Sequence, residues 1–280
     1  MNTLKYKIVA DSSSDVLTLE HIAFASAPLK IITAKKEYTD DAALDTEQMV
    51  EDLAACTEKS STACPSVGDW LDAFGEAEYV FCLTITSALS GSYNSAVMAK
   101  DAYENANPGR RVLVIDTLST GPEMKLLIER LQALILEEHT FDEICGQIAQ
   151  YQQKLDLIFV LESVKNLANN GRVSHLAAKA VGILGLSLIG KASEDGRLEL
   201  HSKCRGKKKA VAAALRLMQQ AGYSGGKVRI GHCMNETAAQ TLKALVLEQY
   251  PNAEVKYYPC RGLCSFYAEA GGFIVGFETV

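Results

Sequence analysis

Residues 79–92 read YVFCLTITSALSGS. A near-continuous apolar run, Tyr79–Thr84, passes into small hydroxyl residues broken by one glycine, and a helix-forming stretch over 89–104 follows. An apolar run without alternation suits a strand buried on both faces, as in a parallel sheet between helix layers. Outward from this segment the same passage recurs. Upstream, KIVADSSSD at 7–15 is a buried strand running into an acidic serine loop. Downstream, the strand Arg111–Asp116 ends within VIDTLSTG at 114–121, and an amphipathic helix occupies 122–138. A fourth hydroxyl cluster, SSTACPS at 60–66, precedes a helix over 67–76 that carries Trp70. Thr46 is placed to cap a helix over 46–57, and the polar residues 35–45 form a loop or edge hairpin. Strands alternating with helices predict an α/β fold built on an N-terminal parallel, doubly wound sheet.

Near residue 155 the rhythm changes. Leu155–Leu161 is a strand, and Asn169-Asn170-Gly171 is a helix stop. The segments 186–192 and 197–202 flank Glu194-Asp195-Gly196, a hairpin signal. A helix over 206–221, a strand over 228–232, a helix over 236–250 and strands over 254–258 and 273–277 complete the chain. Hairpins mixed with helices predict an α+β domain with a mainly antiparallel sheet. The expected division is 1–154 and 155–280, with the two domains packed tightly because no low-complexity linker separates them.

The chain has 280 residues, long enough for two medium domains, and its 48% apolar and 22% charged content is that of a globular protein. A net charge of −6 argues against nucleic acid as a partner, which would require a basic face. The eight cysteines form no CxxC pair, and Cys260 and Cys264 have no second ligand pair at zinc-like spacing, so no metal site is expected. The segment MNTLKYKIVADSS lacks the apolar core of a signal peptide. The longest apolar run, 180–190, is too short and glycine-broken to cross a bilayer. Reduced thiols and a cytoplasmic location are expected.

In open α/β sheets ligands collect outside the carboxyl ends of the strands, where the hydroxyl clusters fall. Asp11-Ser12-Ser13-Ser14-Asp15 suits helix capping, lining of a cleft, or both. Pro65 keeps Cys64 out of the helical region, so residues 60–66 are extended and either face a ligand or cap the Trp70 helix. In Thr86–Ser92, Ser90 is the expected N-cap, and the N–H groups of Gly91 and Ser92 point outward toward an anion. There is no GxGxxG after the first strand, no GxxxxGK[ST], and no GxSxG around Ser90. None of His21, His139, His175, His201 and His232 is marked as a base. The basic run Lys203–Lys209 begins a helix and is either a solvated face or a patch for phosphate or an acidic partner, with Arg205 suited to bidentate contacts.

These motifs together resemble the DegV family of bacterial fatty-acid-binding proteins, whose members include the fatty-acid-binding subunits of fatty acid kinase. The resemblance is carried by VADSSSD at 9–15, the Thr62–Ser66 loop, LSGSYNSA at 89–96, VIDTLSTG, NNGRVS at 169–174, the Arg205 segment and AGGFIVGFE at 270–278. It implies a long-chain fatty acid whose carboxylate is held by Thr62 and by Ser90 at a helix N-terminus, with the acyl chain in a tunnel. Ala63, Gly91, Ser92, Tyr267 and Arg205 complete the implied ligand-binding set, and Asp11, Ser12, Asp116, Ser119 and Arg172 the supporting frame. The resemblance implies a carrier with no cofactor and no catalytic residue of its own, which presents its cargo to a separate kinase subunit, with Arg205 assisting at that step. It is compatible with transient membrane contact. Two positions depart from the family pattern. Tyr267-Ala268-Glu269-Ala270-Gly271 stands where the family reads His-x-Gly-Pro-Gly, and Ala63 replaces a serine. Two other functions stay open on the same residues: an enzyme acting on a small carboxylated or phosphorylated metabolite, and a lipid-responsive regulatory protein.

Overall fold

The computed structural model describes residues 5–173 and 185–279. His175, Ser174 and the first part of the 180–190 apolar run lie outside the described residues. The first half contains strands β1 (Tyr6–Asp11), β2 (Ala23–Ala27), β3 (Lys30–Ile32), β4 (Glu37–Thr39), β5 (Ser61–Ala63), β6 (Tyr79–Thr84) and β7 (Arg111–Asp116). Four of them form a wholly parallel sheet in the order β2-β1-β6-β7. Helices α2 (Val67–Phe74) and α3 (Ser92–Ala106) cover one face, where Val80 and Cys82 meet Trp70, Phe74 and Tyr103. Helices α4 (Gly121–Leu136) and α5 (Phe141–Gln152) cover the other, where Phe81 and Leu83 meet Met124, Leu127 and Ile144. Successive β6 residues thus enter two different cores, so the strand shows no polar alternation. Helix α1 (Thr46–Ala55) and a small antiparallel sheet, β4-β3-β5, complete this half.

The second sheet is built from β8 (Leu155–Leu161), β9 (Leu186–Ala192), β10 (Leu198–Arg205), β11 (Lys227–His232), β12 (Glu254–Pro259) and β13 (Phe273–Glu278). Its order is β10-β9-β8-β13-β11-β12, antiparallel at every pairing except β11–β12. Its outer face packs under α7 (Lys207–Gln220) and α8 (Glu236–Gln249). Its inner face carries Leu157, Phe159, Leu161 and Ile274 toward the first half, together with the short helices α6 (Lys165–Asn169) and α9 (Gly262–Ala268). The fold is α/β with a parallel, doubly wound sheet and a second, mainly antiparallel one.

Local details differ from the sequence reading. Asp45, not Thr46, caps α1, accepting from the Gln48 N–H at 3.0 Å. Helix α3 begins at Ser92 with Gly91 at its N-cap, because Ser90 spends its hydroxyl on the Ser92 N–H at 3.2 Å from outside the helix. Lys203–Arg205 finish β10 instead of opening a helix, and Gly206, at φ 96°, makes the turn into α7. Strands β2 and β3 and helices α5 and α9 have no counterpart in that reading.

Three groups of contacts stand out among those that fasten the halves. Gly276 of β13 lies against the start of α4 so closely that a Cβ there would sit 2.5 Å from the Glu123 nitrogen. Arg229, fully buried on β11, donates from Nε to Glu129 of α4 at 2.9 Å and from Nη2 to Glu254 of β12 at 2.6 Å. At the start of α9, Asp40 accepts from the Gly262 and Leu263 N–H groups, both at 2.9 Å, and Asp15 accepts from the Arg261 N–H at 2.8 Å. Carboxylates there complement the positive end of the helix.

Burial pushes the Asp15 carboxyl up to about 7, and burial, aided by nearby Asp156, pushes Glu123 up to about 8. Both groups keep a proton in the folded state that the unfolded chain has already lost, so folding is favoured on the acid side of that window and weakened as pH rises through it. The urea midpoint is therefore expected to be higher at about pH 6 than at about pH 8.5. Glu123→Gln, which still accepts from the Ser119 hydroxyl, should flatten the difference. A midpoint that rises toward pH 8.5 would contradict this.

Candidate functional site

Between the inner face of the second sheet and the loops at the carboxyl ends of the first lies a cavity of about 320 Å³. Small-molecule sites occupy ~300–1,000 Å³. Its floor is Leu157, Phe159 and Leu161 of β8, Ala192 of β9, Leu198 of β10 and Ile274 of β13. Leu29, Ile85, Leu89, Leu118 and Leu263 face them. Polar groups converge at one end. Thr62 Oγ1 lies 2.8 Å from the Tyr267 hydroxyl, Cys64 Sγ approaches Gly91, and Arg172 Nε donates to the Leu89 carbonyl at 3.2 Å.

Each of these side chains has a local reason for its position. Thr62 is on β5, paired opposite Ile31 of β3, which leaves the segment extended as Pro65 requires. The Pro65 carbonyl accepts from Ser95 Oγ at 2.8 Å, tying the loop to α3. Tyr267 sits on α9, whose first turn is held by Asp15 and Asp40. Burial raises the Tyr267 hydroxyl pKa, partly offset by the Thr62 hydrogen bond and the nearby Arg172 charge, so it remains a neutral donor. Arg172 follows Gly171, whose φ of 68° ends α6. Its guanidinium also donates to the Asn170 carbonyl, and among the described residues no carboxylate pairs with it.

Behind the lining stands Asp11, fully buried at the end of β1. Its carboxylate accepts from the Ile85 N–H at 2.9 Å, from Ser92 Oγ at 2.6 Å, and from the N–H and hydroxyl of Ser13. Burial raises its pKa, and these bonds oppose the rise. Ser12 Oγ accepts from the Leu29 N–H at 3.0 Å. Asp116 accepts from the Ser87 and Leu118 N–H groups, both at 3.1 Å, and Ser119 Oγ donates to Glu123 at 2.7 Å.

Of the residues singled out in the sequence, Thr62, Ala63, Ser90, Gly91, Ser119, Arg172 and Tyr267 line the cavity. Ser92 does not: it is fully buried, with its hydroxyl committed to Asp11. Asp11, Ser12 and Asp116 lie behind the wall. Arg205 is exposed at the end of β10 and is not part of the lining. The structure adds Cys64 and the hairpin residues Gly196 and Arg197, along with the apolar floor. The floor carries no sequence signal, since a strand residue facing a cavity and one facing a core are equally apolar. Among the described lining residues none is a histidine or a carboxylate, and no cluster that could hold a metal ion is present among the described residues. His232 lies away from the cavity, with its pKa lowered by burial. No described helix is long and apolar enough to cross a membrane.

Comparison with known proteins gives a consistent result. The family model described as "Uncharacterised protein, DegV family" matches residues 5–279. A DegV domain-containing protein of Streptococcus pneumoniae is 45% identical over 279 residues, covering 98% of this chain and 99% of its own. A crystal structure of a DegV family protein from Eubacterium eligens, loaded with heptadecanoic acid, is 44% identical with a TM-score of 0.96, covering 98% of this chain and 100% of that one. The crystal structure of the Streptococcus pneumoniae Fatty Acid Kinase (Fak) B3 protein, loaded with linoleic acid, is 45% identical with a TM-score of 0.96, covering 99% of this chain and 100% of that one.

The hydrogen bonds to Asp11 make it the costliest polar residue of the site to remove. Asp11→Ala strands the Ile85 N–H and the Ser92 hydroxyl, each at ~1–3 kcal/mol, so a loss of about 3 kcal/mol or more in urea unfolding is expected. Ser90→Ala, at a partly exposed position, should cost less than about 1 kcal/mol. Equal costs for the two would contradict this account of the frame.

Proposed function

This chain belongs to the DegV family, and on that footing we propose that it binds one long-chain fatty acid, with the carboxylate at the polar end of the cavity and the acyl chain along its apolar floor. The observation that carries the reading is an apolar cavity that ends at a half-buried, mutually hydrogen-bonded Thr62–Tyr267 pair with Arg172 beside it. A carboxylate leaving water needs such partners. The hydroxyl pair has a proton to spare for a ligand oxygen, since only one of its two protons is used between Thr62 and Tyr267. Arg172 supplies compensating charge and Ser90 a further hydroxyl. Affinity comes mainly from the tail, at ~0.8 kcal/mol per buried methylene, and the polar groups fix which end faces out. The fatty acids in the Eubacterium eligens and Streptococcus pneumoniae structures support the ligand class.

Residues 1–154 then form the domain that supplies the headgroup loops, and 155–280 the domain that supplies the floor, Arg172 and Tyr267. The protein acts as a carrier and not as a catalyst, in the cytoplasm. Exposed Cys64 at the polar end marks where the carboxylate is reachable from outside, as presentation to a separate kinase subunit requires. The Fatty Acid Kinase designation of the pneumococcal relative supports that partner.

Native mass spectrometry of the purified protein should show a bound fatty acid that is lost on denaturation. An empty protein that also fails to take up added fatty acid would sink the proposal. Thr62→Ala combined with Ser90→Ala should weaken fatty-acid binding in a fluorescent displacement assay by roughly a hundredfold or more, from two hydrogen bonds to a charged group at ~1.5–3 kcal/mol each, with the protein still folded by its melting curve. Unaltered affinity would remove those residues from the headgroup site.

A further inference from the structure

Phe159 and Gly190 face each other across β8 and β9, and the same row continues to Ile274 on β13 and Leu200 on β10. Side chains on a sheet stand roughly perpendicular to it, and a Cβ on the directly opposed residue keeps an aromatic ring upright. Gly190 offers none. A Cβ built there would lie 2.3 Å from Phe159 Cζ and 2.8 Å from its Cε2, so the ring occupies the place of the missing side chain. The ring is laid down over β9, and its upper surface is floor of the cavity. The Glu199 carbonyl of β10 lies 2.2 Å from the same point, and Phe159 is nearly buried at 6% exposure. The next row on the same face, Leu161 opposite Leu188, has no ring and no such arrangement.

We infer that Phe159, bedded on Gly190, is the residue that sets which acyl chains the cavity accepts. This rests on the fatty-acid reading above. An upright ring would cross the cavity, and an absent one would lengthen or deepen it. The recumbent ring fixes an intermediate space and gives the floor one side chain that can be changed without touching the headgroup. Gly190 itself is a poor probe, because any side chain there also strikes the Glu199 carbonyl and displaces β10.

The test is therefore made at Phe159. Wild type, Phe159→Leu, Phe159→Ala and Phe159→Trp are titrated with a series of saturated fatty acids of increasing length in competition with a fluorescent fatty acid, after melting curves establish that each is folded. A cavity of ~150 Å³ left by a deleted side chain admits a six-carbon ring, and partial collapse reduces that, so Phe159→Ala should move the preferred chain about two to four carbons longer. Phe159→Leu should move it in the same direction by less, and Phe159→Trp should move it shorter. The inference is overturned if Phe159→Leu and Phe159→Ala, or Phe159→Leu alone where Phe159→Ala does not fold, rank the chains as wild type does within about twofold. Failure of wild type to bind any member of the series would instead overturn the fatty-acid reading beneath it, so the two failures are told apart.

Discussion

Asp11 receives four hydrogen bonds at the point where β1 ends, from two donors on its own loop, one at the end of β6 and one at the start of α3. A carboxylate wholly out of water is costly unless so satisfied. These bonds set the relative positions of the β1 and β6 loops, and the rest of the site is arranged around them. Ser92 is consumed in the anchoring, and Ser90, two residues earlier, is thereby left at the cavity. Adjacent hydroxyls of one motif do different work because one lies inside the helix start and the other just before it.

The opposite wall depends on two further carboxyl groups. Asp15 and Asp40 come from the first half of the chain, yet they hold the first turn of α9, which belongs to the second half. That helix brings Leu263, Cys264, Tyr267 and Ala268 to the cavity. The Thr62–Tyr267 hydrogen bond then closes a loop of contacts that begins and ends in the first half. Arg229, with its two glutamates, and the contact of Gly276 with α4 fix the sheets' spacing on the far side. The space for a ligand is what these fastenings leave unfilled, so it cannot be assigned to either half alone.

Much of the architecture was legible because its signals are local. Tyr79–Thr84 lacked alternation since its residues enter two cores, and Asp195-Gly196 announced a hairpin that the structure contains. Helix α5 also carries local signals, the Thr140–Glu143 capping box and buried apolar residues at 141, 144 and 148, that the sequence reading above leaves unused. Strand β2, with sequence AFASA, has neither length nor β-branched residues to identify it. The candidate site divided in the same way. Hydroxyl clusters showed which loops gather, but whether Ser92 or Ser90 faces the cavity depends on where Asp11 reaches from 81 residues away. Arg205, which the resemblance implies assists when the cargo is presented, stands outside the lining because β10 runs to residue 205 before turning. The floor residues were invisible for a deeper reason: burial against a ligand and burial against protein select the same side chains.

The substitution of tyrosine for the family's histidine at 267 redistributes charge in the headgroup site. A histidine near its pKa offers a carboxylate a positive partner that fades as pH rises through neutrality. Tyr267, with its pKa raised by burial, stays a neutral donor on both sides of that range. Compensation for a carboxylate bound as proposed then falls to the Arg172 guanidinium beside the pair. Its hydrogen bonds to the Leu89 and Asn170 carbonyls orient it without neutralising it, since a carbonyl accepts but carries no formal charge. On the fatty-acid reading proposed above, a residue that the resemblance placed in the supporting frame is the cation nearest the Thr62–Tyr267 pair. On that reading the polar end keeps an anion in place by hydroxyls and one guanidinium, since the described lining residues include no histidine and no carboxylate.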